Sequence, residues 1–158
     1  MGGINFDDLQ WEKRYNPTQA YAQSKSANLM FAIELDRRSR RGVWGIVSNA
    51  AHPGFAKTNL QLSGPSQGKE SPTVLERFYR FSRRFTPFAW QEVDEAILPA
   101  LYGAVSPDAQ GGTFYGPRGL LEAAGGGVKH AKVPERCRNE ADGRRLWEVS
   151  EQLTGVTF

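Results

Sequence analysis

A long helix-forming run, Thr18 to Arg41, is joined through the single Gly42 to a short apolar run, Val43 to Ala51 (VWGIVSNAA). That junction leaves the chain few architectures. Ala20, Ala22, Ala27, Leu29, Met30, Ala32 and Leu35 all favour helix. Asn16 is a good N-cap, Pro17 suits the first helical position, and Gly42 is the expected C-cap. Arg37, Arg38, Arg40 and Arg41 fall in the last turns, where cations complement the helix dipole. The apolar run is too short for a buried helix and has the Val/Ile content of a buried strand. A helix feeding a continuous apolar strand through a tight turn predicts part of a parallel α/β unit.

The rest of the chain gives weaker signals. His52-Pro53-Gly54 ends the predicted strand, and residues 61–72 (QLSGPSQGKESP) read as a loop. Val74, Phe78, Phe81 and Phe85 form one apolar face of a predicted helix over Thr73 to Phe85, beside a basic stripe of Arg77, Arg80 and Arg84. A third helix is expected from Gln91 to Val105, with Glu92, Asp94 and Glu95 in its first turns. Gly112 to Gly116 (GTFYG) is a candidate strand, residues 117–134 look irregular, and Glu140 to Gln152 forms a last helix.

Composition narrows the classes. At 158 residues the chain suits one domain, residues 1–158. Its longest apolar stretch, Ala96 to Val105, is far short of the ~20 residues of a membrane-spanning helix. Met1 to Gln10 lacks the pattern of a signal peptide, so a soluble, cytoplasmic protein is expected. The single Cys137 excludes a disulfide framework, and with only His52 and His130 no metal site is expected. These three residues are assigned to packing or solvent. The net charge of +3 is too small to argue for nucleic acid as a partner.

The chemistry lies on the first helix. Tyr21 and Lys25 are four apart and share a face, with Ser24 and Asn28 nearby. A tyrosine is a poor acid/base at neutral pH, with a pKa of about 10. A lysine cation close by favours the phenolate, and the tyrosine can then exchange a proton with a hydroxyl or carbonyl oxygen. The lysine could also hydrogen-bond a ribose. Beyond the predicted strand, Pro53-Gly54-Phe55-Ala56-Lys57-Thr58 offers a turn where backbone can approach a ligand, and a hydroxyl on Thr58.

Taken together, Tyr21-Ala-Gln-Ser-Lys25, a helix, a strand and Pro53-Gly-x-x-x-Thr58 resemble the short-chain dehydrogenase/reductase family, most nearly its retinol-dehydrogenase-like branch. Ile4-Asn-Phe-Asp-Asp-Leu-Gln10, Ala20 to Asn28, Ser106-Pro-Asp108, Gly112-x-x-Tyr115 and Leu146-Trp-Glu-Val-Ser150 look similar too, in the same order. The resemblance implies that Tyr21 is the acid/base and that Lys25 tunes it and holds the nicotinamide ribose. It further implies that Pro53, Gly54, Phe55 and Thr58 line the nicotinamide end of an NAD or NADP site. Residues 59–90 would form a substrate loop or lid over a small apolar alcohol or carbonyl compound. The family's Gly-rich phosphate turn, catalytic serine and adenine-recognition acid have no counterpart here. The implied fold is therefore α/β, a partial Rossmann-type doubly wound parallel sheet lacking the N-terminal cofactor-binding half. By itself such a chain is expected to bind cofactor poorly and to turn over slowly.

Other readings compete. Gly64-Pro-Ser66-Gln-Gly68, with Asp94 and His130 following, matches a serine-hydrolase elbow, but its flanks are loop-like where a strand and a helix are required. The Arg77–Phe85 segment alternates basic and aromatic residues, as a peripheral contact with an anionic membrane does. A non-catalytic fragment that pairs as a homodimer through the first helix is the remaining alternative.

Overall fold

The computed structural model describes residues 3–56, 91–119 and 122–157. Expectations for 59–90, including the lid, the Thr73–Phe85 helix and the Arg77–Phe85 segment, lie outside the described residues, as do Thr58 and Ser66. The described elements are α1 (Pro17–Gly42), β1 (Ala50–Ala51), α2 (Val93–Ala96), α3 (Leu98–Val105), β2 (Phe114–Pro117), β3 (Val128–His130), a 3-10 turn (Glu135–Cys137) and α4 (Glu140–Thr154). The chain divides into two compact units, Met1–Ala50 with Asp108–Phe114 and Lys132–Phe158, and Ala51–Pro107 with Tyr115–Ala131.

The first unit is built on α1 and α4. Asn16 caps α1 as expected, its side chain accepting from Gln19 N at 3.0 Å. The C-cap is Val43, in a left-handed conformation at φ 55°, and not Gly42. Asn139 caps α4 by accepting from Ala141 N and Asp142 N, and Gly155 closes it. Leu29, Met30, Cys137 and Leu146 form the buried core, flanked by Ile4, Phe6, Ile33, Phe114 and Val133. Trp147 of α4 stacks on Phe31 of α1, with centroids 5.1 Å apart and planes 8° apart, and Arg38 lies 4.6 Å from the Trp147 ring.

Two carboxylates are buried on α1, and they account for Arg37, Arg38 and Arg40 more directly than the helix dipole does. Glu34, 3% exposed, is gripped by Arg37 at 2.6 Å and Arg38 at 2.8 Å. Burial pushes its pKa up, but the hydrogen bonds and charges of the two guanidiniums outweigh this and hold it below the usual carboxylate range. Asp36 is held by Arg40 at 2.7 Å.

The expected strand over Val43 to Ala51 shrinks to Ala50–Ala51. The backbone before it pairs with side chains of α1 instead of a neighbouring strand. Ser39 Oγ donates to Ile46 O at 2.7 Å and accepts from Ile46 N at 3.0 Å, and Ser48 N donates to Asp36. Left-handed Val43 and Gly45 break the extended path. Val43, Trp44, Ile46 and Val47 are exposed where burial was expected.

The sheet order is β1-β2-β3. Ala50 N donates to Thr113 O, and His52 N to Tyr115 O, each at 2.9 Å. Donors and acceptors advance together, so β1 and β2 are parallel. β2 and β3 are antiparallel, with Tyr115 opposite His130. The result is a mixed α/β fold with a small, partly parallel sheet. β3 lies in the stretch expected to be irregular.

In the second unit the expected Gln91–Val105 helix is two helices. Pro99 has no N–H and cannot continue α2, so the chain restarts at Leu98. Tyr115, 0% exposed, is its hub, edge-on to Tyr102 at 5.1 Å and to His130 at 5.4 Å. His130 thus packs on a ring, as assigned.

Candidate functional site

Capping by Asn16 fixes where α1 begins, and the helical period then puts Tyr21 and Lys25 on one side. Lys25 Nζ lies 5.4 Å from the centroid of the Tyr21 ring. Tyr21 is 61% exposed, so its phenol is open to a ligand. The neighbouring hydroxyls turn back on the helix. Ser24 Oγ donates to Tyr21 O at 2.8 Å, and Ser26 Oγ donates to Ala22 O at 2.9 Å. Tyr21 and Lys25 are both exposed. A phenol beside an ammonium can give or take a proton at an oxygen while the cation stabilises the charge that develops.

In the second unit, the turn after β1 carries Pro53, Gly54 and Phe55. Gly54 has φ 66°, and a Cβ there would meet Ala123 O at 2.3 Å. Both facts require glycine. Pro53 and Phe55 are exposed. The turn's backbone is held at each residue. Gly54 N donates to His52 Nδ1 at 3.2 Å, and Phe55 N donates to Ala123 O at 2.6 Å. Gln91 Nε2 donates to Pro53 O, and Gln91 N donates to Phe55 O at 3.0 Å.

Sequence reasoning missed the residues that do this holding. Gln91 was expected to open a helix, but it is 3% exposed, with its Oε1 accepting from Gly125 N at 2.8 Å. His52, assigned to packing or solvent, has a specific polar role. Its Nε2 is 3.5 Å from Glu122 Oε2, while Lys129 Nζ is 3.4 Å from Glu122 Oε1. Burial lowers its pKa, opposed by Glu122, and it is neutral near pH 7. One sequence signal existed: Gly116, opposite, where a Cβ would meet His52 Nε2 at 2.1 Å.

Asp94 is exposed and accepts from Glu95 N. Cys137 is buried in the core of the first unit. Among the described residues, no group of three or more His, Cys, Asp or Glu could hold a metal, and no helix is long and apolar enough to cross a membrane.

A scan against protein-family profiles finds no match. Individual proteins do match over nearly the whole chain. Retinol dehydrogenase 13 of Homo sapiens is 35% identical over 98% of this chain and 42% of its own length. Retinol dehydrogenase 14 of Mus musculus is 30% identical over 98% and 41%, and retinol dehydrogenase 12 of Bos taurus is 29% identical over 100% and 43%. The chain thus spans less than half the length of these relatives. A crystal structure of an uncharacterised protein from Mycobacterium paratuberculosis superposes with a TM-score of 0.65 at 33% identity, covering 99% of this chain and 47% of that one. From end to end, this chain is a homologue of the C-terminal portion of the retinol dehydrogenases, and so of the short-chain dehydrogenase/reductase family.

Proposed function

We propose that this chain is the acid/base-bearing part of an NAD(P)-dependent oxidoreductase that interconverts an alcohol and a carbonyl compound. The observation that carries the reading is the exposed Tyr21 phenol with Lys25 Nζ 5.4 Å from its ring, in a chain homologous to dehydrogenases. The donor set fits the ribose end of a dinucleotide, since an ammonium and a phenol suit vicinal hydroxyls. The nicotinamide would supply or accept the hydride. Tyr21 would give its phenolic proton to the carbonyl oxygen during reduction and take it back from the alcohol during oxidation. Lys25 would orient the ribose and stabilise the phenolate. Pro53, Gly54, Phe55 and Thr58 would line the nicotinamide end. The substrate class is small and apolar, and retinol is the first compound to try, given the names of the relatives.

The test is turnover with NAD and NADP against retinol and simple apolar alcohols, in the natural polypeptide that carries this sequence. Tyr21→Phe should lower kcat by about 10²–10⁴, the usual value of a positioned acid/base. Unchanged turnover in that variant would remove Tyr21 from the mechanism.

A second reading, an interacting fragment that pairs with a second copy, is favoured by one observation. Val43 and Val47 stand 88% and 65% exposed beside Trp44 and Ile46. Sedimentation of the chain with Val43→Lys and Val47→Lys checks it. A wild-type dimer that the charges dissociate supports it, and a wild-type monomer removes it.

A further inference from the structure

We propose that His52 and Gln91 are positioning residues that together hold the Pro53–Phe55 turn in one backbone conformation. His52 acts from within the chain at the exit of β1, through the Gly54 amide. Gln91 acts from 38 residues away, through the Pro53 carbonyl.

The chemistry is complementary. Gln91 is the buried side chain here that presents both a donor and an acceptor, and it uses both. Its Nε2 holds Pro53, and its Oε1 holds Gly125 N. Its own N–H adds the bond to Phe55 O, so one residue ties both ends of the turn to the Gly125 loop. His52 supplies what an amide at position 91 does not reach, an acceptor for Gly54 N. Only an unprotonated Nδ1 can accept, which puts the imidazole proton on Nε2, facing Glu122. Glu122 in turn faces Lys129. Glu122 keeps a left-handed backbone at φ 59°, a costly conformation for a non-glycine residue. That cost is offset where it matters: Glu122 N donates to Gly119 O, and the next carbonyl, Ala123 O, accepts from Phe55 N. The turn is thus fixed by four bonds from three segments before any ligand arrives. Preorganised backbone of this kind reduces the ordering cost of binding.

The purpose of the clamp rests on the reading of this turn as the nicotinamide-facing one, but the clamp itself is tested separately. Amide hydrogen exchange is measured by NMR on the ¹⁵N-labelled chain at pH 7.5, and NADH binding by fluorescence on the natural polypeptide that carries this sequence, with the same substitutions. His52→Leu should speed exchange at Gly54 about tenfold, the worth of one hydrogen bond, and Gln91→Leu, which removes the acceptor of Gly125 N, should do so at Gly125 and loosen Phe55 with it. Exchange at Leu29 and Met30 should not change. His52→Asn places an amide oxygen where Nδ1 stood and should restore protection of Gly54. His52→Gln, whose amide lies at the Nε2 position, should not. This pair decides the matter even if the leucine variants lose structure. Unchanged exchange at Gly54 and Phe55, equal acceleration at every amide, or equal rescue by Asn and Gln would each overturn the clamp. NADH affinity falling in step with faster exchange supports the positioning role, and a loosened turn with unchanged affinity overturns it. If the wild-type chain protects Gly54 and Phe55 as described yet NADH binds no variant, the clamp stands and the cofactor reading of the turn fails.

Discussion

The α1 face and the Pro53–Phe55 turn are built on opposite principles. Tyr21 and Lys25 are neighbours because a helix makes residues four apart neighbours, and a cap and a buried stripe suffice to fix them. The turn owes much of its shape to partners far along the chain, Gln91 on Pro53 and Phe55 and Ala123 on Phe55. A site on a regular element is held by packing behind it. A site on a turn is held by hydrogen bonds to its backbone, and those are the contacts that pH and single polar substitutions reach.

Packing should give the largest stability effect. Trp147→Ala removes a side chain that is 3% exposed and stacked on Phe31. It is expected to lower the unfolding free energy by about 3–5 kcal/mol in denaturant titration. A loss under about 1 kcal/mol would mean that the α1–α4 layer does not carry the helix.

Glu34→Ala comes next. It leaves Arg37 and Arg38 without their carboxylate. Breaking a fully buried pair costs ~3–5 kcal/mol, but these guanidiniums keep some water, so about 2 kcal/mol is expected. Glu34→Gln should cost less, and a larger loss for Gln than for Ala would contradict the assignment.

The turn should answer to mild acid through His52. His52 has a lowered pKa in the folded chain, so between that value and about 6.5 the unfolded state binds a proton that the folded state does not. Stability should be flat above about 6.5 and fall as pH drops below it, by at most ~1.4 kcal/mol per pH unit. His52→Asn should abolish that slope. Glu34 works at lower pH: its lowered pKa gives stability that is present above the usual carboxylate range and lost as pH falls through the folded value. Glu34→Gln should remove that part of acid denaturation and leave the His52 part in place.

The smallest effect tests the local rule itself. Asn16→Ala deletes the bond to Gln19 N and should cost about 1 kcal/mol, read as a small drop in Tm. No change would show that packing alone sets where α1 begins.

Much of this was legible in the residues. The existence of α1 and α4, the Asn16 cap and the Tyr21–Lys25 adjacency follow from propensity and a 3.6-residue period, which act over a few residues. The departures are the places where a distant group won. Val43 to Val47 has the composition of a strand, but Ser39 and Asp36 take its backbone groups. The apolar run around Pro99 reads as one helix until the missing N–H divides it. Val128 to His130 carries no strand pattern and becomes a strand because β2 lies beside it.

The sequence alone determined the two long helices and the Tyr21–Lys25 adjacency, because both depend on intervals along the chain that any window of residues displays. Only the tertiary structure decided that Gln91, His52 and Glu122 hold the turn at Gly54, because a hydrogen bond between distant segments leaves no periodic trace. Those side chains look ordinary until folding removes water and makes each of their polar atoms need a partner.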